Sequence, residues 1–200
     1  MHKTDMHKSG IILFISSLLM TLNACSDAGT GQAQSSQSTS APVDNTMPAF
    51  NTTATIRDVM NTLVDPQADA LWNSVRFEVD ENGSREMRPE TDEDWMALRR
   101  AAVAIIEGGN SLMIPGRRVA PAGASTEFPE YEYLPDEVAA KLASDPVSWG
   151  GFARGLQSSA LDMLQAIEAR DADLLSELGA ALDTACEDCH SLYWYRTENP

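Results

Sequence analysis

The chain has 200 residues, with 30 Asp and Glu against 14 Lys and Arg and a net charge of −16. That length suits one domain with its own core, and the acidic balance disfavours nucleic acid and anionic membrane surfaces as partners. With 3 Cys and 3 His in the whole chain, few places can hold a reactive centre.

At the N-terminus, Lys3 and Lys8 precede an apolar run from Ile11 to Leu22. This is a charged segment and a hydrophobic stretch of signal-peptide length, too short for a convincing membrane span. Leu22-Asn23-Ala24-Cys25 follows and resembles the lipobox of bacterial lipoproteins, in which the cysteine is lipidated and becomes the mature N-terminus. Residues 1–24 are therefore expected to be a lipoprotein signal peptide and Cys25 the lipidation site. The competing reading is an ordinary cleaved signal or a retained anchor, with Cys25 free. Loss of the segment removes His2 and His7, and without Lys3, Lys8 and Asp5 the net charge becomes −17. Residues 25–54, rich in Ser, Thr, Gln, Gly and Ala, have no apolar periodicity and read as a flexible tether.

Residues 55–200 read as one all-α domain. A first helix begins near Thr55, with Ile56, Val59, Met60 and Leu63 at helical spacing. Asp65-Pro66 predicts a kink or short break, after which Ala70, Leu71 and Val75 continue the face. A second helix starts at Thr91, capped with Asp94 and buried through Trp95, Leu98, Ala102, Ile105 and Ile106; Gly108-Gly109 are expected to end or loosen it. Residues 112–146 form a long proline-rich connection, the kind of loop that is often functional, with a short helix over 136–143. A third helix is expected from about Pro146 to Ala169 and a fourth from Asp171, the latter carrying Leu174, Leu175, Leu178, Leu182 and Ala185 into Cys186. No stretch alternates convincingly with period two. The economical arrangement is an antiparallel four-helix bundle with one long loop between helices 2 and 3.

Cys186-Glu187-Asp188-Cys189-His190 is the attachment signature of a c-type haem. Two thiols add across the haem vinyl groups, and the helical turn presents the next residue, His190, to the iron. A structural zinc site needs a second ligand pair that the chain lacks. A thioredoxin-like CxxC opens a helix after a buried strand, whereas this one closes a helical stretch. A chance pair of cysteines in a solvated tail is the remaining alternative. With Cys25 lipidated, all three cysteines are used and no disulfide forms.

A four-helix domain with CxxCH on its last helix resembles the class II cytochromes c, the cytochrome c′ family. The resemblance spans roughly residues 55–196 in layout, and its close motif agreement is confined to the haem site. It implies one covalent haem c per chain, attachment on the periplasmic side, and a first helix that supplies whatever faces the iron distally. Arg57-Asp58-Val59-Met60 sits where the family offers its arginine and distal residue. Met60 is thereby the candidate sixth ligand, and Arg57 a candidate partner of a haem propionate. Their alternatives are core packing and a solvated arginine. Met47, Met87, Met96, Met113, Met163 and Lys141 are weaker ligand candidates, with Met96, Met113 and Met163 suited to the core. Arg117 and Arg118 are further propionate candidates or simply exposed loop residues. Trp72, Trp95 and Trp149 suit core or haem packing. One departure stands out: four positions after the haem histidine, where many members carry a basic residue, this chain has Trp194, flanked by Tyr193 and Tyr195.

The expected function is periplasmic electron transfer, not enzymatic catalysis, by a carrier tethered through lipid on Cys25, to the outer rather than the inner membrane. Its partner is expected to be a redox protein; the acidic surface suits a basic partner or serves solubility alone, with no particular partner, and the resemblance admits a homodimer. The alternative is a five-coordinate haem protein that binds small gases, in which Met60 is not a ligand. A peroxidase is disfavoured, since the mature chain has no distal histidine to act as acid and base.

Overall fold

In a computed structural model of the chain, residues 49–81 and 83–196 are described. The expected signal peptide, Cys25 and most of the 25–54 tether lie outside the described residues. The described chain is mostly helical, with a small two-stranded sheet.

Helical structure opens on a capping box. The Asp58 carboxylate accepts the Thr55 N–H at 2.8 Å, and Thr55 Oγ1 accepts the Asp58 N–H at 3.2 Å. The short α1 (Ile56–Val59) passes into a π-helical turn (Met60–Val64) and then α2 (Asp65–Trp72). Pro66 explains the wide turn. It has no N–H for the Thr62 carbonyl, and its ring would strike that carbonyl in a regular helix. Adding a residue to the turn relieves the clash, and the Asp65 N–H donates to the Met60 carbonyl instead. The expected break at Asp65-Pro66 therefore takes the form of a π turn just before the proline.

The next segment corrects the sequence reading. Strands β1 (Arg76–Asp80) and β2 (Gly83–Met87) form an antiparallel hairpin where no alternation was convincing. One face carries Arg76, Glu78 and Arg85, with Glu78 bridging both arginines at 2.8 and 3.0 Å. The other carries Phe77 and Val79, 71% and 79% exposed. Five residues with an apolar face open to solvent give a faint period-two signal. The better clue is Asn82-Gly83, a strong hairpin-turn dipeptide, and Gly83 takes φ +123°.

Helix α3 (Asp92–Leu112) begins at the expected Thr91/Asp94 capping box but runs through the glycine pair instead of ending there. Gly108 and Gly109 are buried close-approach positions. A Cβ on Gly108 would stand 2.8 Å from Val64 Cγ2, and one on Gly109 would stand 2.5 Å from Gln157 Cγ and 3.1 Å from the Ala153 carbonyl. These glycines let the π turn and the next long helix press against α3, which offsets their weak helix propensity.

Helices α4 (Pro135–Ser144), α5 (Pro146–Ala169) and α6 (Ala172–Tyr193) complete the domain. The carboxylates of Asp145 and Asp171 cap α5 and α6 by accepting N–H bonds at 3.0 Å from Ser148 and Leu174. Packing runs in a closed circuit: α3 against α5, α5 against α6, α6 against α2, and α2 against α3. At its centre Ile105, Met163 and Leu182, one from each long helix, are 0% exposed. Several expected core residues are displaced: Leu63 and Ala70, on the face expected to be buried, are exposed. Met96 and Leu174 are 57% and 41% exposed, because each sits one position off the buried stripe of its helix.

Candidate functional site

The CxxCH motif occupies the last turns of α6, continuing the stripe that buries Leu175 and Leu182. Steps of three and four residues place Cys186, Cys189, His190 and Tyr193 on neighbouring positions of one helix face. Both thiols are free and half-buried, and all four residues line a single cleft.

The remaining walls of that cleft are largely apolar. Ile56 and Met60 enter from α1 and the π turn, and Leu112 from the end of α3. The α5 wall is Trp149, Phe152 and Leu156. The long connection is part of the site: it supplies Val119 and, through α4, Val138 and Leu142. Its backbone is anchored to the first helix, where the Ile56 and Arg57 N–H groups donate to the Arg118 and Val119 carbonyls at 2.8 and 2.9 Å. These carbonyls satisfy amides at a helix start that have no partner within the helix. Trp149 Nε1 ties α5 to α3 by donating to the Leu112 carbonyl at 3.1 Å.

Electrostatics at the thiols favours the neutral form. Burial, reinforced by the Asp183, Glu187 and Asp65 carboxylates, pushes Cys186 up to about 11. Burial pushes Cys189 up to about 12, with Cys186 adding to it. Among the described residues no three His, Cys, Asp or Glu side chains converge as a metal-ion cluster. The donor set fits a haem: two sulfurs and an imidazole on one helix face, an apolar cleft, and a thioether entering from another element.

The chain beyond His190 folds back as a strap. The rings of Trp194 and Tyr195 lie 6.4 and 6.1 Å from the His190 ring. The Tyr133 N–H donates to the Trp194 carbonyl and the Arg196 N–H to the Tyr131 carbonyl, both at 2.8 Å. Arg196 Nη2 meets the Glu137 carboxylate at 2.7 Å, and its guanidinium lies 5.0 Å from the Tyr133 ring centre. Lys141 donates to the Leu192 carbonyl at 3.2 Å and stands 4.2 Å over the same ring. The long connection is thereby stitched to the end of α6 on the His190 side.

The structure brings together five of the residues singled out in the sequence: Cys186, Cys189, His190, Met60 and Arg57, all lining the cleft. Met60 is half-buried there, and Arg57 is partly exposed. Of the others, Trp149 lines the cleft, whereas Trp95 is buried in the core and Trp72 Nε1 donates to the Gly179 carbonyl at 3.1 Å. Arg117 is committed to the Ser111 and Ala54 carbonyls, and Arg118 is exposed. Met163 is core and Lys141 belongs to the strap, so neither lines the cleft. Sequence reasoning missed Asn61, Asp65 and the α4 residues at the rim and wall. Their membership depends on the π turn and on how the loop closes, and neither has a periodic signature.

Comparison with protein-family models, curated proteins and solved structures finds no match for the chain.

Proposed function

We propose that the chain is a c-type haem protein that transfers electrons in the periplasm, tethered by lipid on Cys25 to the outer membrane. The observation that carries the reading is the convergence of Cys186, Cys189, His190 and Met60 on one apolar cleft. The resemblance to class II cytochromes c supports it, and the closed circuit of helix contacts supports an antiparallel four-helix bundle around the site.

Bound in the cleft, the haem supplies a one-electron iron couple. Cys186 and Cys189, whose thiols are free, would hold it through thioether bonds. His190 and Met60 are the residues that would ligate its iron. The apolar walls from α4 and α5 keep water out and set a low dielectric around the iron, while Arg57 at the rim pairs with a propionate. With the group bound, the site would exchange electrons with a redox protein. The acidic surface suits a partner with a basic face, with the homodimer a further assembly consistent with the resemblance.

Absorption spectra of the purified haem protein test the ligation. A six-coordinate low-spin spectrum, unchanged by carbon monoxide, is expected for the wild type, with Met60→Ala becoming high-spin and binding the gas. A wild type already high-spin and gas-binding removes Met60 as a ligand. It supports the second reading, a five-coordinate gas-binding protein, for which the apolar surroundings of Met60 form a ready pocket.

The anchor is tested separately. Radiolabelled palmitate is expected to label the full chain and not Cys25→Ala. A mature N-terminus elsewhere than a lipidated Cys25 excludes the lipoprotein assignment.

A further inference from the structure

Tyr193 presents a polar group that the ligation scheme does not use. The residue is 5% exposed, and its hydroxyl is buried with no hydrogen-bond partner. Its ring is wedged edge-on against Trp149 and Phe152, at centroid distances of 5.5 and 5.8 Å. These contacts fix the ring and deny the hydroxyl an easy swing towards another acceptor. Among the described residues, no nearby protein group is hydrogen-bonded to the phenol. Trp149 Nε1 serves the Leu112 carbonyl, and Asp145 accepts from the Ser148 N–H. Burial first, then the Asp145 carboxylate, pushes the phenol above its ordinary value of 10.0, so it remains a protonated donor at neutral pH. A buried donor without an acceptor is costly to folding and calls for an explanation.

We infer that the Tyr193 hydroxyl donates a hydrogen bond to a propionate carboxylate of the haem, an assignment that rests on the haem reading above. The chemistry of the group leaves one acceptor class. The macrocycle nitrogens are taken by iron, the vinyl groups are consumed by Cys186 and Cys189, and the carboxylates alone remain as strong acceptors. A ligand bound opposite His190 is out of reach, because Tyr193 follows His190 by three residues on the same helix and therefore lies on the histidine's side of the ring. The vinyl edge is pinned at Cys186 and Cys189, and Tyr193 stands one helical turn beyond Cys189, away from Cys186. Other charged and titratable groups at the cleft are Arg57 on α1, Asp65 on α2, Cys186, Cys189 and His190 on α6 and Tyr195 just after it, with Asp145 at the start of α5. Among these, Arg57 is the cationic donor suited to a carboxylate. The two together would hold the propionates from separate elements.

The test is Tyr193→Phe in the haem-loaded full chain, a change that keeps the ring and removes only the hydroxyl. Haem content per chain is expected to stay at the wild-type value. The propionate carboxylate bands in the redox-difference infrared spectrum are expected to shift. The midpoint potential is expected to fall, because a donor's partial positive charge favours the reduced iron. Tyr195→Phe, which removes a hydroxyl from a 41% exposed residue beside the same histidine, is expected to leave the propionate bands in place. Unchanged bands and potential in a fully haem-loaded Tyr193→Phe protein overturn the Tyr193 assignment and leave the haem reading standing. A wild type without covalent haem overturns both.

Discussion

Replacing Cys186 and Cys189 together with alanine is expected to abolish covalent haem while leaving the fold in place. The two sulfurs are the only attachment points that the proposed site offers, so no haem should remain with the chain on a denaturing gel stained for haem peroxidase activity. The fold should survive because neither thiol is deep in the core: both are half-buried at the cleft wall and make no disulfide. Far-ultraviolet circular dichroism should therefore keep its helical signal. Cys189→Ala alone leaves one thioether and should retain weak staining. His190→Ala should keep the stain and lose the axial-ligand spectrum. That separation distinguishes attachment from ligation. Haem staining that persists in the double variant would falsify the assignment of the motif.

Leu182→Ala is expected to cost about 2–5 kcal/mol, the range for truncating a fully buried leucine that leaves a cavity. Leu182 is 0% exposed and sits one helical turn before Cys186 on the same stripe of α6. Against a typical total stability of about 5–15 kcal/mol, this is a large fraction. In urea the unfolding midpoint should fall with little change in slope, because the same surface is exposed on unfolding. Leu174→Ala, on the same helix but 41% exposed, should change stability by about 0.5 kcal/mol or less. A Leu182→Ala loss no larger than the Leu174→Ala one would mean that this stripe does not carry the packing. The two classes of variant also separate function from folding: the cysteines govern what the cleft holds, and Leu182 governs the wall that positions them.

How much of this was legible in advance depends on the kind of interaction concerned. Helix α5 spans Pro146–Ala169 as expected, because a proline start, a continuous apolar stripe and a following helix cap are local signals. The Thr91/Asp94 capping box is likewise local, closing within four residues. The glycine pair at 108–109 misleads for the opposite reason. Propensity marks it as a helix end, yet its role is to admit Val64 and Gln157 at contact distance, and neither neighbour is near in sequence. The hairpin was missed because its apolar face is turned to solvent and so lacks the buried alternation that marks a strand.

The candidate site divides in the same way. Cys186, Cys189 and His190 are recognisable from sequence because the spacing itself encodes their common helix face. Met60 and Arg57 were reached through resemblance, and the cleft brings both beside the motif. The strap through Arg196 and Tyr133, the contribution of α4, and the orphaned Tyr193 hydroxyl emerge only from the folded chain.

By itself, then, the sequence determined the mostly helical character of the domain, the positions of its long helices and the residues that define the CxxCH motif, since these follow from periodicity, capping and spacing within a few turns. Tertiary structure alone decided that a proline-driven π turn brings Met60 to the motif, that the long connection forms a wall of the cleft, and that Tyr193 is left with a buried hydroxyl in need of an acceptor. Those outcomes depend on contacts between segments far apart in the chain, and no local pattern of residues specifies which of them will meet.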